Sequence, residues 1–313
     1  MGVNVGTGSW LSLGEGSTPL VPARRLSERL GLELHLKCEG LNPTGSFKDR
    51  GMVVAVERAV QSGARAVVCA STGNTAASAA AYAARAGIEA IVLTPAGATA
   101  GPKRAQARAA GARLFEIRGS FDDALRLCRE LGERDGFVLV NSINPDRIEG
   151  QKTVVGEIIE QLGGVPDVVT LPFGGGGNVT AVAAGFAEAG ASPRLIVGQA
   201  GERATTWATA IRISEPAHAV QVAELVAAGR VEVVTLGEEE LRSAWQSLSV
   251  DEGVFCEPAS AAGVAALERT GGVEGATVVS ILTGHGLKDA DAVAEGSSAT
   301  VEATLEAVLE AIG

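Results

Sequence analysis

Short runs of β-branched and aliphatic residues recur along the chain, and alanine-rich stretches with helical spacing of their apolar positions separate them. That alternation predicts parallel strands joined by crossover helices, an α/β chain with open, mostly parallel sheets. The expected strands are Ala66–Cys69, Ala90–Leu93, Arg113–Ile117, Phe137–Val140, Val168–Pro172, Leu195–Gly198, Val231–Thr235 and Val278–Leu282. Helices are expected over Asp49–Gln61 and Val179–Ala189, the second capped by Asn178. Near the end of the sequence, apolar residues at 301, 305, 308, 309 and 312 predict a helix that docks on the body.

Several strands run directly into polar or glycine-rich segments: Ser71 to Thr75, Asn141 to Asn144, Gly174 to Asn178 and Thr283 to Gly286. In an open α/β sheet, ligands bind beyond the carboxyl ends of the strands, so these loops are expected to meet at one crevice.

Composition narrows the ligand. A chain of 313 residues, 46% hydrophobic and 20% charged, can bury a large core, which at this length divides between two lobes. Its formal net charge of -11 argues against nucleic acid or an anionic membrane as partner, because both attract basic surfaces. Small molecules are left. Cys38, Cys69, Cys128 and Cys256 are widely spaced, which suggests neither a disulfide framework nor a metal site. The first residues lack a basic stretch followed by an apolar one, and no apolar run is long enough for a bilayer, so a cytoplasmic setting is expected.

Two features carry candidate chemistry. Lys48 lies between the turn formers Asn42, Pro43 and Gly45 and the start of a helix, a junction from which a lysine can be aimed inward. Taken alone it reads as a solvated surface charge. The second feature is Gly174-Gly175-Gly176-Gly177-Asn178 between a buried strand and a helix. Glycines let backbone amides approach a ligand closely and the helix start adds partial positive charge, so this is a cradle for a phosphate. It fits neither the nucleotide-binding lysine loop nor the dinucleotide glycine pattern.

These segments, read with Leu13 to Leu20, Lys37 to Met52, Ser71 to Ser78, Asn141 to Thr153 and Thr283 to Asp289, resemble a known family. The chain is similar to the fold type II pyridoxal-phosphate enzymes, the tryptophan synthase β-subunit class, and within it to the threonine synthases. The Asn141-Ser142…Arg147 segment and Thr-Gly-His-Gly-Leu-Lys-Asp at 283–289 separate that group from its dehydratase cousins better than the lysine segment does.

The resemblance implies two three-layer α/β/α domains, one of residues 1–47 with 142–313 and a smaller one of 48–141. It implies pyridoxal 5'-phosphate as cofactor, joined at its aldehyde to Lys48 and flanked by Phe47. Asn74 would bind the ring hydroxyl, Gly174, Gly175, Gly176, Gly177 and Asn178 the phosphate, and Thr283 the ring nitrogen. Ser71, Thr72 and Thr75 would hold a substrate α-carboxylate, and Asn141, Ser142 and Arg147 a second anion, the phosphate of O-phospho-L-homoserine. A solitary Arg147 would otherwise read as a surface arginine paired with Asp146 or Glu149. The reaction implied is conversion of that substrate and water to L-threonine and phosphate, by a homodimer. Cys256-Glu257-Pro258 resembles a family turn near the ring but is expected to be structural, and His35 and His218, outside these loops, are expected to be core or surface histidines and not ligands.

Two departures from the family pattern stand out. The glycines run without the usual interruption, and Gln199 to Arg212 looks short, which leaves open another acceptor than water or a phosphonate substrate. A serine or threonine dehydratase is the competing reading within the cofactor class, and it needs no second anion site.

Overall fold

Strand pairing in this computed structural model, which describes residues 9–97, 101–271, 274–293 and 300–312, divides the chain into two sheets. The strands are β1 (Leu20–Pro22), β2 (Glu33–Cys38), β3 (Ala66–Ala70), β4 (Glu89–Pro95), β5 (Arg113–Ile117), β6 (Phe137–Leu139), β7 (Val168–Pro172), β8 (Arg194–Ala200), β9 (Val231–Leu236) and β10 (Thr277–Leu282). One sheet has the order β1-β2-β10-β7-β8-β9 and the other β5-β4-β3-β6. All neighbours are parallel except β1 with β2.

All eight strands expected from the apolar runs are present. β1 and β2 were not expected. β2 reads Glu-Leu-His-Leu-Lys-Cys, the alternation of a half-buried strand, yet it lies inside the larger sheet, with Leu36 opposite Ser280 of β10. The early chain thus completes a sheet built mainly from the second half.

Successive residues of a strand face opposite sides, and here both sides are covered. In the larger sheet Val168, Ile196 and Val278 pack with Leu241, Leu248, Val264 and Leu267, whereas Val169, Leu171, Val279 and Ile281 pack with Ile158, Val179, Val182 and Phe186. In the smaller sheet Val67, Cys69 and Val92 face Met52, Ala79 and Tyr82, and Val68, Ile91 and Leu93 face Ala124 and Cys128. Each sheet is therefore the middle of three layers.

The helix expected near the end forms as Leu305–Ile312, but it does not dock: none of its residues is buried, and Leu305 and Ile312 are 69% and 76% exposed. Helical spacing of apolar residues marks a face that could be covered, and here no described residue covers it.

Two contacts fix the helix Lys48–Gln61. It crosses the helix Pro145–Gln151 with the backbones touching: a Cβ on Gly51 would lie 2.4 Å from the Arg147 carbonyl oxygen, and one on Gly150 would lie 2.0 Å from that of Arg50. Glycine at both positions permits the crossing. Beside it, buried Arg50 donates to Glu39 at 2.6 and 2.7 Å and to Glu157 at 2.7 Å through two nitrogens. Lys37 adds a bond of 2.7 Å to Glu157. The network ties β2, the Lys48 helix and the helix Thr153–Leu162 together.

Burial works to raise the Glu157 carboxyl, but Arg50 and Lys37 outweigh it and hold it at about 2, below its ordinary 4.5. A carboxyl so depressed contributes stability that is complete above the ordinary value and is lost as pH falls towards the folded one. Glu157→Gln is expected to cost about 2 kcal/mol near neutral pH, allowing for solvent screening at its open edge. Urea denaturation of both proteins at pH 7 and pH 3 checks this, the gap being wide at the first and narrower at the second.

Candidate active site

Lys48 is the first residue of its helix, and the turn before it is held from several directions. The Phe47 amide donates to the Thr283 carbonyl at 3.0 Å, and Ser46 pairs with Gly284, which joins the lysine turn to the loop after β10. Buried Asp49 accepts from the Thr44 amide at 2.7 Å, the Thr44 hydroxyl at 2.6 Å and the Ser78 hydroxyl at 2.6 Å. The Lys48 ammonium nitrogen sits 4.1 Å from the centre of the Phe47 ring. Burial of that nitrogen, then the Arg147 charge, depress the ammonium to about 7, against an opposing pull from Glu257.

Asn74 opens the helix Asn74–Ala86. Its amide nitrogen donates to both carboxylate oxygens of Glu257 at 3.0 Å, and its buried oxygen has no partner. The Ser71 hydroxyl accepts from the amides of Gly73 at 3.1 Å and Ala76 at 3.3 Å, shaping the same turn. Thr72 is exposed and Thr75 half-buried on it. Glu257 is buried against Asn74 and lies 3.4 Å from the Lys103 ammonium. Gly284 makes room for it, since a Cβ there would fall 2.2 Å from its carboxylate. In the sequence Glu257 is marked only by the resemblance of Cys256-Glu257-Pro258 to a family turn near the ring, and its contact with Asn74 is tertiary.

The glycine loop follows β7. Gly176 takes φ +88°, and the helix begins at Gly177, running to Glu188. Asn178 therefore does not cap this helix as expected: glycine's access to positive φ starts it early and places Asn178 in the first turn. Its amide nitrogen is buried there without a partner, beside backbone amides that lack acceptors within a helix. His218, expected to lie elsewhere, fastens the loop. Its amide donates to the Gly175 carbonyl at 3.0 Å, and its ring Nε2 is 2.9 Å from the Ser142 carbonyl.

Across the site, the buried Thr283 hydroxyl lies 3.2 Å from that of Ser260. Asn141 turns its side chain onto Ala70, accepting from its amide and donating to its carbonyl, both at 2.9 Å. Arg147 is fully buried. One of its nitrogens donates to the Val140 carbonyl at 2.9 Å, and Nε and the second terminal nitrogen have no partner. Neither Asp146 nor Glu149 neutralises it among the described residues; Glu149 pairs with Lys152 at 2.7 Å. Burial lowers the guanidinium to about 10, with Cys69 and Asp49 opposing. A buried cation with open donors is costly until an anion meets it.

Residues 11–284 match the model of a family described as pyridoxal-phosphate dependent enzyme. A threonine synthase of Halalkalibacterium halodurans is 46% identical over 89% of this chain and 84% of its own length, and one of Mycobacterium leprae is 47% identical over 97% and 91%. The chain belongs to the threonine synthase family of pyridoxal-phosphate enzymes. A solved T.th. threonine deaminase superposes with a TM-score of 0.73 at 26% identity, covering 86% of this chain and 92% of that one. An O-ureido-L-serine synthase, at 23% identity and a TM-score of 0.79 over 93% and 97% of the two chains, shares the fold. The fold type II expectation is thereby met.

The residues present suit the family's cofactor. A lysine with a depressed ammonium would suit an aldehyde, the Phe47 ring offers a flat apolar face, and buried polar atoms of Asn74 and Asn178 have no partner among the described residues. Addition of an amine to an aldehyde needs the uncharged form, which Lys48 gains as pH rises through about 7. Cofactor uptake by stripped protein, followed by absorbance in stopped flow, is expected to quicken about tenfold from pH 6 to pH 8 and then level off.

Proposed function

We propose that this chain converts O-phospho-L-homoserine and water to L-threonine and phosphate, as a threonine synthase, with Lys48 as its base and Arg147 as its second anion site. The observation that carries the assignment of roles is the fully buried Arg147, whose open donors lie on the helix that crosses the Lys48 helix. A guanidinium pairs with phosphate oxygens in two places, so it suits a substrate bearing a phosphate.

Pyridoxal phosphate, when bound, supplies an electron sink that acidifies the protons on carbons near the substrate's amino group. Lys48 would take the α-proton, move a β-proton to the γ carbon once phosphate has left, and return a proton to the α carbon after water adds. An amine poised near 7 serves as base and then as acid. Ser71, Thr72 and Thr75, at the start of the Asn74 helix, hold the α-carboxylate. Asn74 orients the ring hydroxyl, and Glu257 fixes the direction of the Asn74 amide. Gly174, Gly175, Gly176, Gly177 and Asn178 hold the cofactor phosphate. Thr283 meets the ring nitrogen with a neutral hydroxyl, which favours elimination over chemistry that needs that nitrogen protonated. Arg147, with Ser142, holds the departing phosphate close to the β carbon, where water adds. Asn141 acts at one remove, bracing the Ala70–Ser71 turn.

We further propose lobes of 1–47 with 142–313 and of 48–141, a division supported by the two separate sheets. The setting proposed is a cytoplasmic homodimer acting on a small phosphorylated amino acid. It accords with the net charge of -11 and with the absence, among the described residues, of a helix long and apolar enough to cross a membrane.

Coupled assays of phosphate release and threonine formation test the roles. Lys48→Ala is expected to abolish both. Arg147→Ala is expected to lower kcat/KM for O-phosphohomoserine by about a hundredfold or more, the loss of a charge-assisted pair. Undiminished turnover in the second variant, with vigorous deamination of serine, would favour the dehydratase instead.

A further inference from the structure

The glycine loop presents a physical problem. Four consecutive glycines have the widest backbone freedom of any tetrapeptide, and fixing each for a ligand costs about 1 kcal/mol or more. A phosphate site built from such amides binds well only if something outside the loop fixes their directions in advance.

Arg203 is placed to do so. It lies in the short stretch after Gln199, and its terminal nitrogens donate to the Gly174 carbonyl at 3.2 Å, the Ile213 carbonyl at 3.1 Å and the Gln199 side-chain oxygen at 2.5 Å. The guanidinium also stacks on Phe173, the residue before the glycines, 4.7 Å from the ring centre. Among the described residues no carboxylate forms an ion pair with it, and its acceptors are neutral oxygens.

Geometry converts the first of these bonds into an orientation. In a trans peptide the carbonyl and the following N–H point in opposite directions. When Arg203 holds the Gly174 oxygen on its own side, the Gly175 N–H must face the other way. The His218 amide, bonded to the Gly175 oxygen at 3.0 Å, does the same for the Gly176 N–H. Two consecutive amides of the loop are thus set by groups outside it, one of them a side chain with an unneutralised positive charge.

We propose that Arg203 is a positioning residue that preorganises the Gly175 amide for the cofactor phosphate and lends its charge to that anion. The proposal rests on the reading of Gly174 to Asn178 as the phosphate loop. The contacts of Arg203 are with Phe173, Gly174, Gln199 and Ile213, on the flank of the loop, so its effect is expected on phosphate recognition.

The test compares dissociation constants of pyridoxal phosphate and of pyridoxal, which lacks the phosphate, for stripped wild-type protein, Arg203→Met, Arg203→Lys and Asn178→Ala, read by cofactor absorbance. Arg203→Met is expected to lower the preference for the phosphorylated form about tenfold, the size of a hydrogen bond to a charged group. Arg203→Lys, which keeps charge but loses the fork, is expected to fall between. A merely structural role would weaken both ligands alike and leave the ratio unchanged. If the ratio falls in Asn178→Ala but stays at the wild-type value in Arg203→Met, the proposal for Arg203 is overturned and the loop reading stands. If neither variant moves it, the loop does not hold the phosphate and both fail. Should Arg203→Met not fold, Arg203→Lys decides: an unchanged ratio in it overturns the proposal, and a lowered one supports it.

Discussion

The contact on which the site depends is the backbone crossing of two helices at Gly51 and Gly150. With Cβ positions 2.4 and 2.0 Å from opposing carbonyl oxygens, any side chain at either residue would push the helices apart. That closeness brings Lys48, at the start of one helix, within electrostatic reach of Arg147 on the other. Neither is neutralised by an ion pair among the described residues. A half-buried and a fully buried cation that repel each other are a poor resting arrangement, which an anionic ligand would relieve.

The same region shows what a matched cation looks like. Arg50, two residues from Lys48, is surrounded by Glu39 and Glu157, and its guanidinium is held above its ordinary range. Burial alone would lower it, but the neighbouring carboxylates prevail. Asp49 is held chiefly by hydroxyls and an amide, with a lesser pull from Lys288, and it forms no ion pair with Lys48 among the described residues. Within three consecutive residues the fold has an amine with a depressed ammonium, a hydrogen-bonded carboxyl group that pins its turn and a structural ion pair. Asp49 and Arg50 are buried and Lys48 is half-buried, and the choice of partners separates the three.

Much of this was legible in the sequence because the signals are local. Strands covered on both faces are continuous apolar runs, and the loops at their ends are where polar residues and glycines concentrate, so Lys48, the glycine loop and the segments carrying Asn74 and Thr283 could be singled out, the roles of Asn74 and Thr283 coming only from the family resemblance. What escaped notice is tertiary. β1 is three residues long, and β2 alternates like an edge strand although it lies within a sheet. Glu257, His218 and Arg203 contact these loops by reaching across the fold, and no period or spacing marks those contacts. The terminal helix failed in the opposite way: its apolar stripe is plain, but a stripe carries no information about whether a complementary surface exists.

The account's central claim is that burial and, beside it, the unneutralised charge of Arg147 depress the Lys48 amine, so that Arg147 couples cofactor chemistry to a second anion. Titration of Lys48 in cofactor-free protein by NMR of carbon-labelled lysine, in wild type and in Arg147→Met, measures that coupling directly. The account predicts a Lys48 value near 7 in the wild type that climbs towards its ordinary 10.5, held short of it by burial, when the guanidinium is removed. A Lys48 titration unmoved by the substitution would contradict it.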